Sequence, residues 1–367
     1  MESIIIFTNF ANRKITKDMK RHLLLLSSAL IIFSTAWADV EINENTFPDE
    51  YFRNWVLSKE YGKDGILTNE EIAGVTRIYL NIYNKIHSLR GIENFTELSI
   101  LGCSANPLTE LDVTKCTKLT YLECIGNQLT TLDVSKNTAL TELNCSENPL
   151  KTLDISNNTQ LVSLSCQRNE LTALDVSNNT ALETLSCNGN QLTELDVSKN
   201  KNLRWLVCSN NQLTGLELKS LPKLENLKCI QNRLERIIVL DCPKLEQITC
   251  HNNQIRGKAM DEFIEGLPVV PNGWGHLCIV DPENEQNVMT KAQVAAVKAK
   301  GWHPRYKYGS FGTPGYTDYE GTDDPTGITS PLRETEEGAI FDLQGRKIDK
   351  ITQPGIYIGN GQKILIK

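Results

Sequence analysis

The sequence predicts an α/β-type solenoid dominated by parallel β-strands, with a helical N-terminal cap, an α/β C-terminal cap and a small all-β tail. Three columns of residues that recur every 21 positions carry this prediction. They are eight cysteines, eight leucines five positions earlier and eight asparagines three positions later. The cysteines are Cys103, Cys124, Cys145, Cys166, Cys187, Cys208, Cys229 and Cys250. A fixed period near 20 residues indicates stacked units, each of which buries its apolar face only against its neighbours.

Residues 1–38 have the pattern of an export signal. A basic pair precedes an apolar run, and the sequence A-W-A at residues 36–38 suits a cleavage site. The run is too short for a transmembrane span with these flanks. We therefore expect Met19 to be the true start, the mature chain to begin near Asp39, and the protein to be secreted or held at the cell surface.

Residues 39–74 are expected to cap the open N-terminal end of the core, because the terminal repeat would otherwise expose its leucines. Their aromatic and aliphatic residues suit a short amphipathic helix. Residues 60–71 allow two interpretations. One is half of an EF-hand-like calcium loop, and the other is a helix capping box made by Thr68 and Glu71. Gly62 falls where the calcium loop needs an oxygen ligand, so the capping box is favoured.

Residues 75–265 hold one divergent repeat and then eight that read L-x-x-L-x-C-x-x-N-x-L-T-x-L-D-V-S-x-N-x-x. This unit resembles the leucine-rich repeat, L-x-x-L-x-L-x-x-N-x-L, with cysteine in the third leucine position. The resemblance implies a right-handed solenoid with one short strand per repeat on its concave side. A 21-residue unit is too short to return through a full helix, so we expect an extended or turn-like convex side.

The cysteine column has two interpretations. An export signal together with 11 cysteines suggests a disulfide framework. However, a cysteine in a leucine position acts as a small hydrophobic residue, and parallel neighbours in register direct their Cβ atoms poorly for a bridge. We therefore expect buried, reduced thiols. Each asparagine should satisfy backbone groups at the bend that ends the strand.

Residues 266–308 are expected to form the C-terminal cap. A helix is predicted over residues 259–267, a strand over 277–280 and a second helix over 290–300, which Thr290 caps. Residues 309–336 are rich in Gly, Pro, Thr and acidic residues, as linkers are. Residues 337–367 should contain three short strands.

The tail sequence F-D-L-Q-G-R at residues 341–346, followed by P-G-I-Y-I at 354–358, resembles the C-terminal sorting domains of Bacteroidetes-type secreted proteins. With the repeats, the whole chain resembles secreted or surface bacterial leucine-rich repeat proteins of the internalin-like kind. It differs from internalins in its 21-residue period, its cysteine column and its lack of a Gram-positive cell-wall anchor. The resemblance implies a protein or glycan ligand on a host or neighbouring cell. We expect the protein to be a monomer.

Catalytic and cofactor motifs are absent from the sequence, so we expect neither an enzyme nor a cofactor. None of the five histidines has a nucleophile or acid partner at a triad spacing. The net charge of -7 argues against nucleic acid. A column of aspartates either attracts a cation or stays solvated and screened, and we expect no metal. These residues are Asp112, Asp133, Asp154, Asp175 and Asp196.

The outward-facing positions of the strands are the candidate binding residues. Most are small and polar, but six apolar, aromatic or charged residues break that pattern. They are Trp205, Val207, Lys228 and Ile230 on adjacent repeats, and Tyr121 and Ile125 near the N-terminal end. Exposed aromatic clusters mark interaction sites, whereas scattered apolar surface residues are normal. An adhesin-like binding protein and a structural spacer of the cell envelope or extracellular matrix therefore both remain open.

Overall fold

One strand from each turn of the chain joins a single long sheet. The computed structural model describes residues 39–80, 82–280, 286–308, 315–323, 340–341, 347–348, 355–359 and 362–366. In this part of the chain the long sheet has twelve strands. Every neighbouring pair is parallel except the last, at the C-terminal end. The predicted parallel solenoid is therefore confirmed.

The strands of the repeats are short and lie in exact lateral alignment. The N-terminal ones are β3 (Arg77–Tyr79), β4 (Ile100–Gly102), β5 (Tyr121–Glu123), β6 (Glu142–Asn144), β7 (Ser163–Ser165) and β8 (Thr184–Ser186). They continue with β9 (Trp205–Val207), β11 (Asn226–Lys228) and β13 (Gln247–Thr249). Each central residue, such as Leu122 of β5, lies opposite its equivalent, here Leu101 and Leu143. The 21-residue period sets this register.

The convex side contains no helix between residues 100 and 250, all of which the structure describes. Most repeats return through turns, but two form a parallel pair, β10 (Gly215–Lys219) and β12 (Arg236–Leu240). The difference follows from one column. Asp196 accepts a hydrogen bond from the Ser198 N–H at 2.8 Å and so folds its own turn. Glu217 and Ile238 stand at the equivalent positions, and there the chain stays extended.

The inward columns form the core. All eight ladder cysteines are fully buried, and none of the eleven cysteines, all within the described residues, forms a disulfide. The expected column of unbridged thiols is therefore confirmed. The pKa of the Cys103 thiol is raised to about 12 by burial and then by the nearby charge of Glu123. Such thiols stay protonated at neutral pH and pack as small hydrophobic side chains.

The asparagine column joins each repeat to the one before it, as expected. Asn148 Nδ2 donates to the carbonyl oxygens of Cys124 at 2.9 Å and Cys145 at 3.1 Å. Asn148 Oδ1 accepts from the Leu129 N–H at 3.0 Å. One buried amide thus satisfies backbone groups of two turns that the bend would leave without partners. A second column on the return side only donates: Asn158 Nδ2 donates to the carbonyl oxygens of Val134 and Asn137, while its buried Oδ1 accepts no hydrogen bond within the described residues.

The N-terminal cap closes the core with aromatic rings. Helix α1 (Glu50–Leu57) begins at Asp49, whose Oδ1 accepts from the Phe52 N–H at 2.9 Å. Phe47 and Phe52 are fully buried and meet edge to face. A two-stranded pair, β1 (Val40–Glu41) and β2 (Ile66–Leu67), braces the cap.

The second helix of this cap decides between the two interpretations of residues 60–71. Helix α2 (Asn69–Gly74) starts with a capping box, in which Thr68 and Glu71 bond each other's backbone. The Glu71 carboxylate also accepts from the Thr68 hydroxyl at 2.8 Å. The favoured capping box is therefore confirmed, and it uses Thr68 and Glu71, which the calcium loop would need as ligands together with Glu60 and Asp64.

The C-terminal cap extends the long sheet. Helix α3 (Lys258–Gly266) leads to β14 (Gly275–Val280), and helix α4 (Lys291–Ala299) leads to β15 (Trp302–Tyr308). Thr290 and Gln293 form the capping box of α4. Both strands pair in parallel with the repeat sheet. Trp302, on β15, is buried and its indole N–H donates to the Pro268 carbonyl oxygen at 2.8 Å.

The segment with linker composition contains one further strand. Strand β16 (Gly315–Asp318) pairs antiparallel with β15, and Tyr319 packs against the core. The alternating Tyr and Thr residues there favour a strand, and pairing covers the edge of β15.

The tail forms its own four-stranded sheet from β17 (Ile340–Phe341), β18 (Lys347–Ile348), β19 (Gly355–Gly359) and β20 (Gln362–Ile366). The sequence predicted three of these strands and missed β18. The proposed export signal lies outside the described residues.

Candidate binding surface

The outward face of the sheet brings four of the predicted residues together. Trp205 and Val207 of β9 lie directly opposite Asn226 and Lys228 of β11. Trp205 is 39% exposed and Lys228 is also exposed, whereas Val207 and Ile230 are partly buried. We call Trp205, Val207, Lys228 and Ile230 the tryptophan patch. Val207 and Ile230 form the more buried, apolar part of the patch, and Lys228 is its one cation.

The tryptophan ring is held by a residue that the sequence analysis did not select. The guanidinium carbon of Arg204 lies 4.4 Å from the centroid of the Trp205 ring. Arg204 Nε and Nη2 each donate to the Glu225 carboxylate at 3.1 Å. A bidentate pair fixes the plane of the guanidinium, and the stacked guanidinium limits the rotamers of the ring. The ring is therefore oriented before any ligand arrives.

Two further contacts shape the tryptophan patch. Asn226 Nδ2 donates to Gln247 Oε1 at 2.6 Å, which ties together the side chains next to Trp205. The Ile230 N–H donates to Ser209 Oγ at 3.1 Å. The Lys228 ammonium makes no ion pair within the described residues. Its charge is therefore available to a ligand.

The N-terminal pair of predicted residues belongs to a polar network. The Tyr121 hydroxyl donates to Glu123 Oε2 at 2.6 Å, and the Ser104 hydroxyl donates to Glu123 Oε1 at 2.8 Å. The Ile125 N–H donates to Ser104 Oγ at 3.1 Å. The hydrogen bond to Glu123, with burial second, raises the pKa of Tyr121. We call Tyr121, Glu123, Ser104 and Ile125 the tyrosine patch.

The tryptophan patch and the tyrosine patch are separate in the structure. Tyr121 lies on β5 and Trp205 on β9, which is four strands away, or about 19 Å at the usual strand spacing. Between them the same column holds Glu142, Ser163 and Thr184. The surface is therefore one face with two chemically different ends.

The concave face extends beyond the last repeat, which the sequence analysis missed. His276 of β14 and His303 of β15 continue the column of Trp205, and Arg305 continues the column of Lys228. Burial, followed by the charges of Arg305 and His303, lowers the pKa of His276. The strand over 277–280 was predicted, but its register with β13 depends on how the cap packs. His276 and Cys278 are alternate residues of β14.

Tyr79 is a further surface residue that was not predicted from the sequence. It is exposed on β3, opposite Gly102 of β4. A Cβ at position 102 would lie 2.7 Å from Tyr79 Cδ1. The glycine therefore leaves room for the ring to lie across the sheet, next to the tyrosine patch. A glycine at the place of a strand residue was the available signal.

The aspartate column has a structural explanation. Asp133 Oδ1 accepts from the Ser135 N–H at 2.9 Å, and Asp154 and Asp175 make the same bond to the next serine but one. The hydrogen bonds from Ser135 lower the pKa of Asp133. Within the described residues, no three histidine, cysteine or acidic side chains come together as metal ligands. In the same part of the chain, no helix combines the length and hydropathy of a membrane span.

Comparison with known proteins agrees with this architecture. The Leucine Rich Repeat family matches residues 202–224. The functional domain of InlJ from Listeria monocytogenes, which includes a cysteine ladder, is 33% identical to this chain with a TM-score of 0.51. That match covers 68% of this chain and 60% of the InlJ chain. The internalin inlF from Listeria monocytogenes is 19% identical over 74% of this chain and 92% of its own, with a TM-score of 0.50.

This chain is therefore similar to bacterial internalin-like leucine-rich repeat proteins and has the leucine-rich repeat solenoid fold. It spans 60% of the length of the InlJ chain that it matches. None of the curated proteins compared with it matches significantly. The fold is typical of proteins that bind other proteins on an extended concave surface.

Proposed function

We propose that this protein is an adhesin-like binding protein that acts outside the cell and uses its concave face to hold a protein or glycan of a host or neighbouring cell. The observation that carries the proposal is the exposed and pre-oriented ring of Trp205. The export pattern of residues 1–38, which lie outside the described part of the chain, supports an extracellular location. The sorting-like sequence of the tail supports retention at the surface or passage through it.

A ligand has to impose little order on this surface when it binds. Trp205 offers a large rigid surface, and Arg204 already restricts its rotation. Binding therefore loses little side-chain entropy at the residue that buries most area. Tryptophan and arginine are also the residue types most often found at the energetic centre of interfaces. Small serines and threonines on the neighbouring strands leave space for a ligand to approach the ring.

Binding of the labelled full chain to cultured epithelial cells tests the proposal. We expect saturable binding that Trp205→Ala weakens at least tenfold, or about 1.4 kcal/mol. Trp274→Ala is the matched control, because Trp274 is 71% exposed but lies outside the outward columns of the strands. We expect it to bind as the unaltered chain does. Pretreating the cells with trypsin or with periodate separates a protein receptor from a glycan receptor.

A structural spacer would behave differently in the same experiment. It would show no saturable binding to cells, and neither tryptophan substitution would change what is observed. Equal losses from Trp205→Ala and Trp274→Ala would indicate nonspecific adhesion through exposed aromatic rings. Either result would contradict a binding function for the concave face.

A further inference from the structure

The outward columns of the concave face hold acidic residues toward one end and basic residues toward the other. At the N-terminal end, Glu123 of β5 and Glu142 of β6 point outward on adjacent strands. Neither carboxylate makes an ion pair within the described residues. Among the described residues, Arg77 of β3 is the one cation in the outward columns at this end, and one strand, β4, lies between it and Tyr121 of β5. The end is therefore acidic near the tyrosine patch.

The C-terminal end of the two outward columns holds basic residues. Lys228 of β11 and Arg305 of β15 occupy one outward column, with His276 and His303 in the next. The two outward columns hold no acidic residue from β7 to β15. The acidic residues near these cations lie outside the two columns: Asp318 on β16 lies 3.9 Å from Arg305 Nε, Glu225 is paired with Arg204, and Glu246 at the rim acts on His276. Lys228 has no ion-pair partner among the residues that the structure describes, and it lies on the strand next to that of Trp205.

The distance between the two ends suits a short extended chain. Four strand spacings separate Glu142 on β6 from Lys228 on β11, or about 19 Å. An extended polypeptide covers this span in about six residues. The intervening positions are Ser163, Ser165, Thr184 and Ser186 on β7 and β8, which are polar, and then Trp205 and Val207 on β9.

We infer that the concave face binds an extended polypeptide segment, lying along the solenoid axis, with basic side chains at one end and acidic side chains about six residues away. The inference rests on the proposed function and deepens it by naming the class of ligand. The basic end of the segment meets Glu123 and Glu142, and its acidic end meets Lys228 next to Trp205. A neutral glycan has no charge with which to pair at either end of the face. An acidic glycan is repelled by the end that holds Glu123 and Glu142.

Two synthetic peptides of identical composition test the charge pattern. Each has nine residues. The block peptide has two lysines at one end, two glutamates at the other and an uncharged Ser, Gly and Leu centre. The mixed peptide alternates the same lysines and glutamates. Fluorescence anisotropy with the full chain should show the block peptide binding at least fivefold tighter at low salt. The preference should disappear at 1 M salt, where charges are screened beyond about 3 Å.

Charge-reversed variants show which residues of the concave face recognise the charge pattern of the block peptide. Glu142→Lys and Lys228→Glu should each remove the preference for the block peptide. Glu194→Lys and Lys199→Glu are matched controls, since both residues are exposed in the return segment rather than in the outward columns. They make the same changes in net charge and should leave the preference intact.

Three results would overturn the inference. The first is equal affinity of the two peptides, and the second is no binding of either at millimolar concentration. The third is tighter binding of tetragalacturonate, an acidic glycan, than of the block peptide. If both peptides bind equally and Trp205→Ala weakens both, the proposed function stands and only the charge pattern fails. The cell-binding experiment decides the proposed function independently.

Discussion

The inward and outward faces of the same strands follow opposite rules. In β9 the central Leu206 is fully buried, while its neighbour Trp205 is 39% exposed. Along the inward columns the side chain barely changes over eight repeats. Along the outward column of Trp205 it changes at almost every strand, from tyrosine through glutamate and serine to tryptophan. The difference teaches that repetition specifies the fold and that departures from repetition carry the binding chemistry.

The physical reason is the parallel register. Inward side chains stack on copies of themselves, so each must fill the same space as the last and leave no cavity. Outward side chains meet water, which accepts residues of any size and charge. Substitutions on the two faces should therefore have very different consequences, and the following experiments test that contrast.

Alkaline pH should give the largest effect, and it acts on the inward face. Nine cysteines have a raised pKa because of burial, among them Cys145, whose pKa rises from 9.0 to about 12. Below pH 9 the thiols are protonated in both states and their contribution to stability is complete. Above pH 9 the unfolded chain releases protons that the folded chain keeps, so the free energy of unfolding falls by about 1.4 kcal/mol per pH unit for each thiol.

Urea unfolding at pH 7, 8, 9 and 10 with reductant measures this loss. We expect the free energy of unfolding to decline steeply above pH 9. The summed loss from several thiols is comparable to the whole free energy of unfolding of a typical domain, about 5–15 kcal/mol. In the double variant Cys145→Ala, Cys166→Ala, the free energy of unfolding should fall less steeply with pH, because two of the titrating thiols are gone. An unchanged pH dependence in that variant would contradict the role of the ladder.

Leu206→Ala should give the next largest effect. It removes a fully buried side chain between two equivalent leucines and leaves a cavity in the core. We expect the free energy of unfolding to fall by roughly 2–5 kcal/mol. Leu206→Met, which conserves volume, should lose less than about 1.5 kcal/mol. Urea unfolding measures both variants, and equal losses would mean that packing at this position is loose.

Asn169→Ala should destabilise the bend between two repeats. It removes the donor to the Cys145 and Cys166 carbonyl oxygens and the acceptor for the Leu150 N–H, all of them buried. Each buried polar group without a partner costs roughly 1–3 kcal/mol. We expect a loss of about 2–4 kcal/mol in urea unfolding. Asn188→Ala, on the outward face, should stay within about 0.5 kcal/mol of the unaltered chain. Similar losses from both would contradict the column assignment.

Trp205→Ala should give the smallest change in stability, although it gives the largest expected change in binding. The partly exposed ring loses its contact with Arg204, which contributes about 0.5–1 kcal/mol. Urea unfolding should therefore differ from that of the unaltered chain by about 1 kcal/mol or less. A loss as large as that of Leu206→Ala would show that the inward and outward faces are exchanged.

Particular residues show how far the sequence alone could reach. The columns of Leu, Cys and Asn gave the strand positions, the buried thiols and the bend, because the period aligns residues without any tertiary detail. Thr68 with Glu71 and Thr290 gave helix starts, since capping depends on neighbours three residues away. The tryptophan patch could also be predicted from register, since Trp205 and Asn226 are 21 residues apart.

Other features depended on contacts that no local pattern encodes. The bidentate pair of Arg204 with Glu225 needs the rotamers of two neighbouring repeats. The hydrogen bond of Tyr121 to Glu123 turned an expected apolar cluster into a polar one. Strand β16 arose within a segment of linker composition, because pairing with the edge of β15 outweighed that composition.

The sequence by itself determined the solenoid, its register and its unbridged core, because each repeat contacts mainly its neighbours and the same short pattern is written eight times. Only the tertiary structure decided the ends and the surface. There the pattern is not repeated, and the placement of His276, His303 and Arg305 on the concave face depends on how β14 and β15 pack against the last repeat. The orientation of the Trp205 ring depends likewise on a charged pair that spans two turns of the chain.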